Sequence, residues 1–151
     1  MGSTSASDKH PVGVIGAGSF GTAVANLLAE NGEVLFYSRR QEAVDIINTE
    51  RTNNGQTIHP NIRATSDLQE ITNNCYLLFP SVSSDSFRQV MQGMAPFLRP
   101  DHMMIHCTKG FDIKLEPGKT ILDKDIILKP SDIYTMSKVI LEETCVKRVG
   151  C

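Results

Sequence analysis

Three glycines in six residues, Gly16-Ala17-Gly18-Ser19-Phe20-Gly21, are the sharpest chemical signal in the chain. They follow the short apolar run Val12-Gly13-Val14-Ile15 and precede Ala23, Val24, Leu27 and Leu28 at helical spacing, ended by Asn31-Gly32. The motif G-x-G-x-x-G therefore falls where a strand turns into a helix, which is the context its chemistry needs. There, Gly16 permits the tight turn, Gly18 lets backbone approach a diphosphate where a Cβ would collide, and Gly21 lets helix and strand pack closely. The unpaired N–H groups at the helix start carry partial positive charge toward such an anion. Adenosylmethionine also binds glycine-rich strand-to-helix turns, but the spacing of all three glycines favours a dinucleotide.

A second chemical signal stands at the end of the next apolar run, Val34 to Tyr37, which leads into Ser38-Arg39-Arg40. An NAD-preferring fold offers Asp or Glu to the adenosine ribose there, about 20 residues past the glycines. No carboxylate is present, and the guanidinium groups of Arg39 and Arg40 suit the 2′-phosphate of NADP(H). NADP(H) is favoured and NAD(H) stays open, because the two arginines also fit a solvated position at the start of the following helix. Glu42 would begin that helix, where its charge suits the dipole.

The elements needed to position these groups are written in the hydrophobic pattern. Short continuous runs at Val12 to Ile15, Val34 to Tyr37, Cys75 to Phe79 and Met103 to Cys107 read as buried parallel strands. Helical spacing links Phe87, Val90, Met91 and Met94, and again Ile133, Met136 and Ile140 after the capping candidate Ser131. Met and Phe in such stripes read as core. Alternating runs of this kind predict an α/β fold, Rossmann-type and doubly wound, with a mainly parallel sheet and flanking helices. Residues 1–11 read as a flexible tail and 12–151 as one dinucleotide-binding domain, with a long connection from Thr108 to Pro130. A further strand-like run, Val146 to Val149, stops at Cys151, so the chain is expected to be cut short of a substrate domain.

The balance of 15 basic and 17 acidic residues offers no broad field for nucleic acid or an anionic membrane. No apolar run reaches the roughly 20 residues of a membrane span, and the start lacks a signal-peptide core, so a cytoplasmic protein is expected. Cys75, Cys107, Cys145 and Cys151 form no Cys-x-x-Cys pair, which predicts free thiols and no metal site. The four histidines receive structural roles.

Taken with two later motifs, the glycine turn resembles the bacterial-type NAD(P)-dependent glycerol-3-phosphate dehydrogenase family. The matching stretches are Val14 to Ala23, Asn61-Ile62-Arg63-Ala64-Thr65-Ser66-Asp67-Leu68 leading to Pro80-Ser81, and His106-Cys107-Thr108-Lys109-Gly110-Phe111. Phe20 stands where family members commonly carry Trp, and Asn53 to His59 lacks the family's Tyr-Leu-Pro sequence. The resemblance implies that Ser19, Phe20, Arg39 and Lys109 contact the cofactor and that Pro80 and Ser81 line its nicotinamide side. It also implies that Lys109 touches glycerol 3-phosphate, while the catalytic lysine belongs to a helical domain beyond Cys151. The implied reaction is hydride transfer between the nicotinamide and dihydroxyacetone phosphate or glycerol 3-phosphate, serving glycerophospholipid synthesis. No catalytic residue is assigned within the chain, and any homodimer is expected to form through the substrate domain. Two other readings stay open: a free-standing dinucleotide-binding regulatory module, and the cofactor domain of another hydroxyacid- or ketopantoate-type dehydrogenase. The second would lack Thr108-Lys109-Gly110.

Overall fold

A computed structural model describes residues 10–108. The expected strand, turn and helix are β1 (Val12–Ile15) and α1 (Ser19–Ala29), and the next run gives β2 (Val34–Tyr37) followed by α2 (Gln41–Thr49). Glu42 lies in the first turn of α2, at its positive end. A small hairpin of β3 (Thr52–Asn53) and β4 (Gln56–Thr57) precedes β5 (Ile62–Thr65) and α3 (Leu68–Asn74). Then come β6 (Leu77–Pro80), α4 (Ser84–Met94), a 3-10 turn at Ala95–Phe97 and β7 (Met103–Met104). Lys109, the helix expected around Ile133 to Ile140 and the run Val146 to Val149 lie outside the described residues.

The main sheet runs β5-β2-β1-β6-β7, and every pairing in it is parallel. Register places Val12 to Ile15 opposite Val34 to Tyr37 on one side, and Gly13 to Ile15 opposite Leu78 to Pro80 on the other. Helices cover both faces, so successive strand residues enter different cores. Val14, Val34, Phe36, Ile62 and Ala64 join Ala25 and Ala29 of α1 and Val44 and Ile47 of α2. Ile15, Leu35, Tyr37 and Leu78 join Ile71 of α3 and Phe87, Met91 and Met94 of α4. The Met and Phe stripe of α4 is therefore core, as its spacing indicates.

Several boundaries differ from the sequence pattern for local reasons. Cys75 does not start a strand: it caps α3, with its N–H bonded to the Ile71 carbonyl, and β6 begins at Leu77. Burial pushes the Cys75 thiol up to about 12, so it behaves as an apolar filler. The run ending at Cys107 keeps ladder bonds beyond β7, from the Ile105 N–H to Leu78 O (2.9 Å) and the Cys107 N–H to Pro80 O (2.7 Å). Pro80 is the last residue of β6 rather than the first after it.

β5, α3 and the hairpin carry little hydrophobic signal of their own. β5 alternates one large apolar residue with Arg63, Ala64 and Thr65, and it is an edge strand. The side-chain amide of Asn48 in α2 replaces a neighbouring strand by donating to Ala64 O (3.0 Å) and accepting from the Ala64 N–H (2.8 Å). α3 has seven residues and is started by Asp67, whose carboxylate accepts from the Gln69 N–H (2.8 Å).

Candidate functional site

The chain runs outward from β1 through β2 to β5, then returns to β6 on the far side of β1. This reversal opens a crevice at the carboxyl ends of β1 and β6, where open α/β sheets bind ligands. The glycine turn forms its floor. Gly16 has φ +117°, a conformation side-chain-bearing residues rarely adopt, and a Cβ there would lie 2.8 Å from the Ser81 carbonyl oxygen. At Gly21 a Cβ would lie 1.9 Å from the Gly16 carbonyl oxygen, so only glycine lets α1 sit this close to β1. A Cβ on Gly18 would meet nothing within 4 Å; it would project into open space above the turn.

That space is a groove with two halves. One, of about 430 Å³, is bounded by Gly18 to Gly21, Ser81 to Ser84, Cys107 and Thr108. The other, of about 330 Å³, lies over Gly16 to Gly18 and runs toward Tyr37 to Arg40. The halves share Gly18 and Ser81 to Ser83, so together they cross the ends of β2, β1, β6 and β7. Gly18 is the N-cap of α1, with no side-chain cap and no acidic residue in the first turn. The N–H groups of Gly18, Ser19 and Phe20 have no acceptor among the described residues, which suits them to an anion.

At the β2 end, Tyr37 is buried, which raises its phenol, although Arg39 pulls the other way. Its hydroxyl stays protonated at neutral pH. Arg39 and Arg40 are exposed, and neither guanidinium has a carboxylate partner among the described residues. Arg40 is also the N-cap of α2, and its N–H reaches the Ser38 hydroxyl at 3.4 Å. At the β6 end Pro80 is buried while Ser81 lines the groove, with the Ser81 N–H bonded to Ile15 O at 2.7 Å. The Thr108 hydroxyl donates to Val82 O at 2.8 Å and ties the segment after β7 to the loop after β6. Phe20 is 60% exposed at the mouth of the larger half.

The structure thus gathers Gly16, Gly18, Ser19, Phe20, Gly21, Arg39, Arg40 and Ser81 along one groove, while Pro80, buried at the end of β6 next to Ser81, lines neither half. It also brings in residues to which the sequence reading attached no role. The Asn53 amide nitrogen donates to Ala17 O (3.0 Å) and to the Thr22 hydroxyl (2.9 Å), and the Asn54 amide donates to Ala17 O (2.9 Å). Gln56 donates to Ser19 O (3.0 Å). A polar hairpin far along the chain leaves no periodic signature, and its only cue was Asn54-Gly55, a turn dipeptide.

Residues 11–144 match the family model described as the N-terminus of NAD-dependent glycerol-3-phosphate dehydrogenase. A glycerol-3-phosphate dehydrogenase [NAD(P)+] of Pseudomonas aeruginosa is 37% identical over 110 residues, covering 70% of this chain and 32% of the relative. One from Saccharophagus degradans is 40% identical over 111 residues, covering 70% of this chain and 31% of the relative. Among solved structures, the glycerol-3-phosphate dehydrogenase of Coxiella burnetii superposes with a TM-score of 0.64 at 30% identity, covering 68% of this chain and 33% of that one. The chain spans about a third of the length of the curated relatives it matches.

Proposed function

The chain belongs to the NAD-dependent glycerol-3-phosphate dehydrogenase family, as its N-terminal NAD(P)-binding part, and from that premise we propose how it works and in what enzyme. The dinucleotide lies along the groove with its diphosphate over Gly18, received by the N–H groups of Gly18, Ser19 and Phe20. The observation that carries this reading is the coincidence of those unpartnered N–H groups with open space at Gly18, at the sheet's switch point. The adenosine end points to Tyr37, and Arg39 and Arg40 hold a 2′-phosphate, which makes NADP(H) the preferred cofactor. The nicotinamide end reaches Pro80 and Ser81. Lys109, one residue past Thr108, serves there as a cation toward both cofactor and phosphorylated substrate.

The full-length protein interconverts dihydroxyacetone phosphate and sn-glycerol 3-phosphate. The cofactor supplies the hydride chemistry, and residues 12–151 supply orientation and electrostatics. Residues 1–11 form a tail, and no residue of the chain is assigned as the catalytic acid or base. That role, the rest of the substrate pocket and any homodimer contact fall to the part of the family this chain does not span. We place the protein in the cytoplasm, a setting that suits the free Cys75 and Cys107 thiols. Among the described residues no helix is long and apolar enough to cross a membrane.

Calorimetric titration with NADPH and NADH at one fixed salt concentration tests this reading. Binding of both is expected, NADPH the tighter. Equal affinities or an NADH preference would remove Arg39 and Arg40 from the cofactor site, and no heat with either would remove the site.

A further inference from the structure

We propose that the β3–β4 hairpin is a positioning brace that sets the peptide planes of the glycine turn, with Asn53 as its central residue. The inference rests on the reading that a dinucleotide diphosphate sits over Gly18. A trans peptide unit is planar, and its C=O and N–H point to opposite sides. Whatever fixes a carbonyl therefore aims the N–H of the next residue. The Ala17 carbonyl is held by Asn53 (3.0 Å) and Asn54 (2.9 Å), which turns the Gly18 N–H away from the hairpin. The Gly18 carbonyl is held by the Thr22 hydroxyl (2.7 Å) and the Thr22 N–H (2.9 Å), which fixes the Ser19 N–H. The Ser19 carbonyl is held by Gln56 (3.0 Å), which fixes the Phe20 N–H. Three successive planes are set, and none of their three N–H groups has an acceptor among the described residues.

Asn53 links two of these contacts. Its amide uses both hydrogens, one on Ala17 O and one on the Thr22 hydroxyl, which in turn donates a hydrogen bond to the Gly18 carbonyl. Thr22 is fully buried and Asn53 nearly so, so the bond between them is shielded from competing water. The brace is itself anchored. Ile58 is buried in the core under α1 and α2, the Asn26 amide donates to Thr57 O (2.8 Å), and its carbonyl oxygen accepts from the His59 N–H (2.9 Å). Arg51 donates to Ile62 O (2.9 Å) and to His59 O, tying the hairpin's base to β5. A turn held this way presents its donors already aimed, so little ordering is lost on binding.

The test compares, in the full-length protein, the Kd of NADPH with the Kd values of adenosine 2′-monophosphate and adenosine, which carry no diphosphate. Asn53→Ala is expected to weaken NADPH about tenfold, the scale of losing groups that orient a binding residue, and to leave both small ligands within about twofold. The double variant Asn54→Gly with Gln56→Ala removes two amides without emptying the core. Asn54 has φ +49°, which glycine takes without strain, and about a threefold loss for NADPH alone is expected. Unchanged NADPH affinity in folded variants overturns the brace, and so does equal weakening of all three ligands. If Asn53→Ala does not fold, the double variant decides. Gly18→Ala separates the two levels: wild-type NADPH binding there discards the diphosphate reading itself, whereas a loss there beside unchanged brace variants discards only the brace.

Discussion

The two flanks of Gly18 are built on opposite plans. On the α1 side the turn is locked, with Gly21 pressed on the Gly16 carbonyl and side-chain amides from Asn53, Asn54 and Gln56 on the Ala17 and Ser19 carbonyls. On the β2 side, Arg39 and Arg40 stand exposed with no carboxylate partner among the described residues. In the proposed binding mode the locked flank receives the feature every dinucleotide shares, its diphosphate. In the same binding mode the open flank receives the end where NAD and NADP differ. Selectivity so placed, on exposed side chains, would change without disturbing the fold, whereas the glycine turn could not.

The locked flank should break hardest. Gly21→Ala places a methyl group 1.9 Å from a backbone oxygen, which neither a rotamer change nor a small shift relieves. A loss of about 3 kcal/mol or more is expected, seen as a lower denaturant midpoint together with lost cofactor binding. Near-native stability in that variant would mean α1 can slide along β1, and the flank is not locked.

Gly18→Ala should do the reverse. Gly18 has φ −77°, an ordinary backbone value, and its Cβ meets no protein atom. Stability should fall by no more than about 1 kcal/mol, the scale of an N-cap change. NADPH and NADH should weaken together by tenfold or more, about 1.4 kcal/mol per decade, read by titration. Unequal losses for the two cofactors would mean the turn also contributes to selectivity.

On the open flank, Arg39→Ala should weaken NADPH about tenfold more than NADH and leave the melting temperature in place, since the side chain is exposed. A parallel loss of both cofactors would assign Arg39 to the adenine or ribose rather than to a 2′-phosphate.

The smallest effect belongs to a corner outside both flanks. The Glu70 carboxyl is held below its ordinary value, first by the Thr65 hydroxyl and then by Arg63, whose guanidinium lies at 2.7 Å. A lowered carboxyl contributes stability above the ordinary carboxylate range and loses it as pH falls through the lowered value. Glu70→Gln should flatten that part of the acid-denaturation curve and cost under about 1 kcal/mol at neutral pH, because the ion pair is partly exposed. Cofactor affinity should not move.

Residue order alone determined the strand-turn-helix opening, the second strand and its arginines, and the Met and Phe face of α4, because each is a local pattern of glycine spacing or apolar period. It also determined the family, through motifs that are contiguous in the chain. It missed β5 and α3, which are short and weakly apolar, and are stabilised by partners such as Asn48 and Asp67 that lie outside the strand and helix they support. The groove was decided only by tertiary structure. Ser81 reaches the glycine turn because β6 returns beside β1, and Asn53 reaches Ala17, 36 residues away, because the hairpin folds back beneath α1. Polar contacts over such separations leave no period in a sequence, since a hydrogen bond depends on where two groups meet in space and not on how far apart the chain writes them.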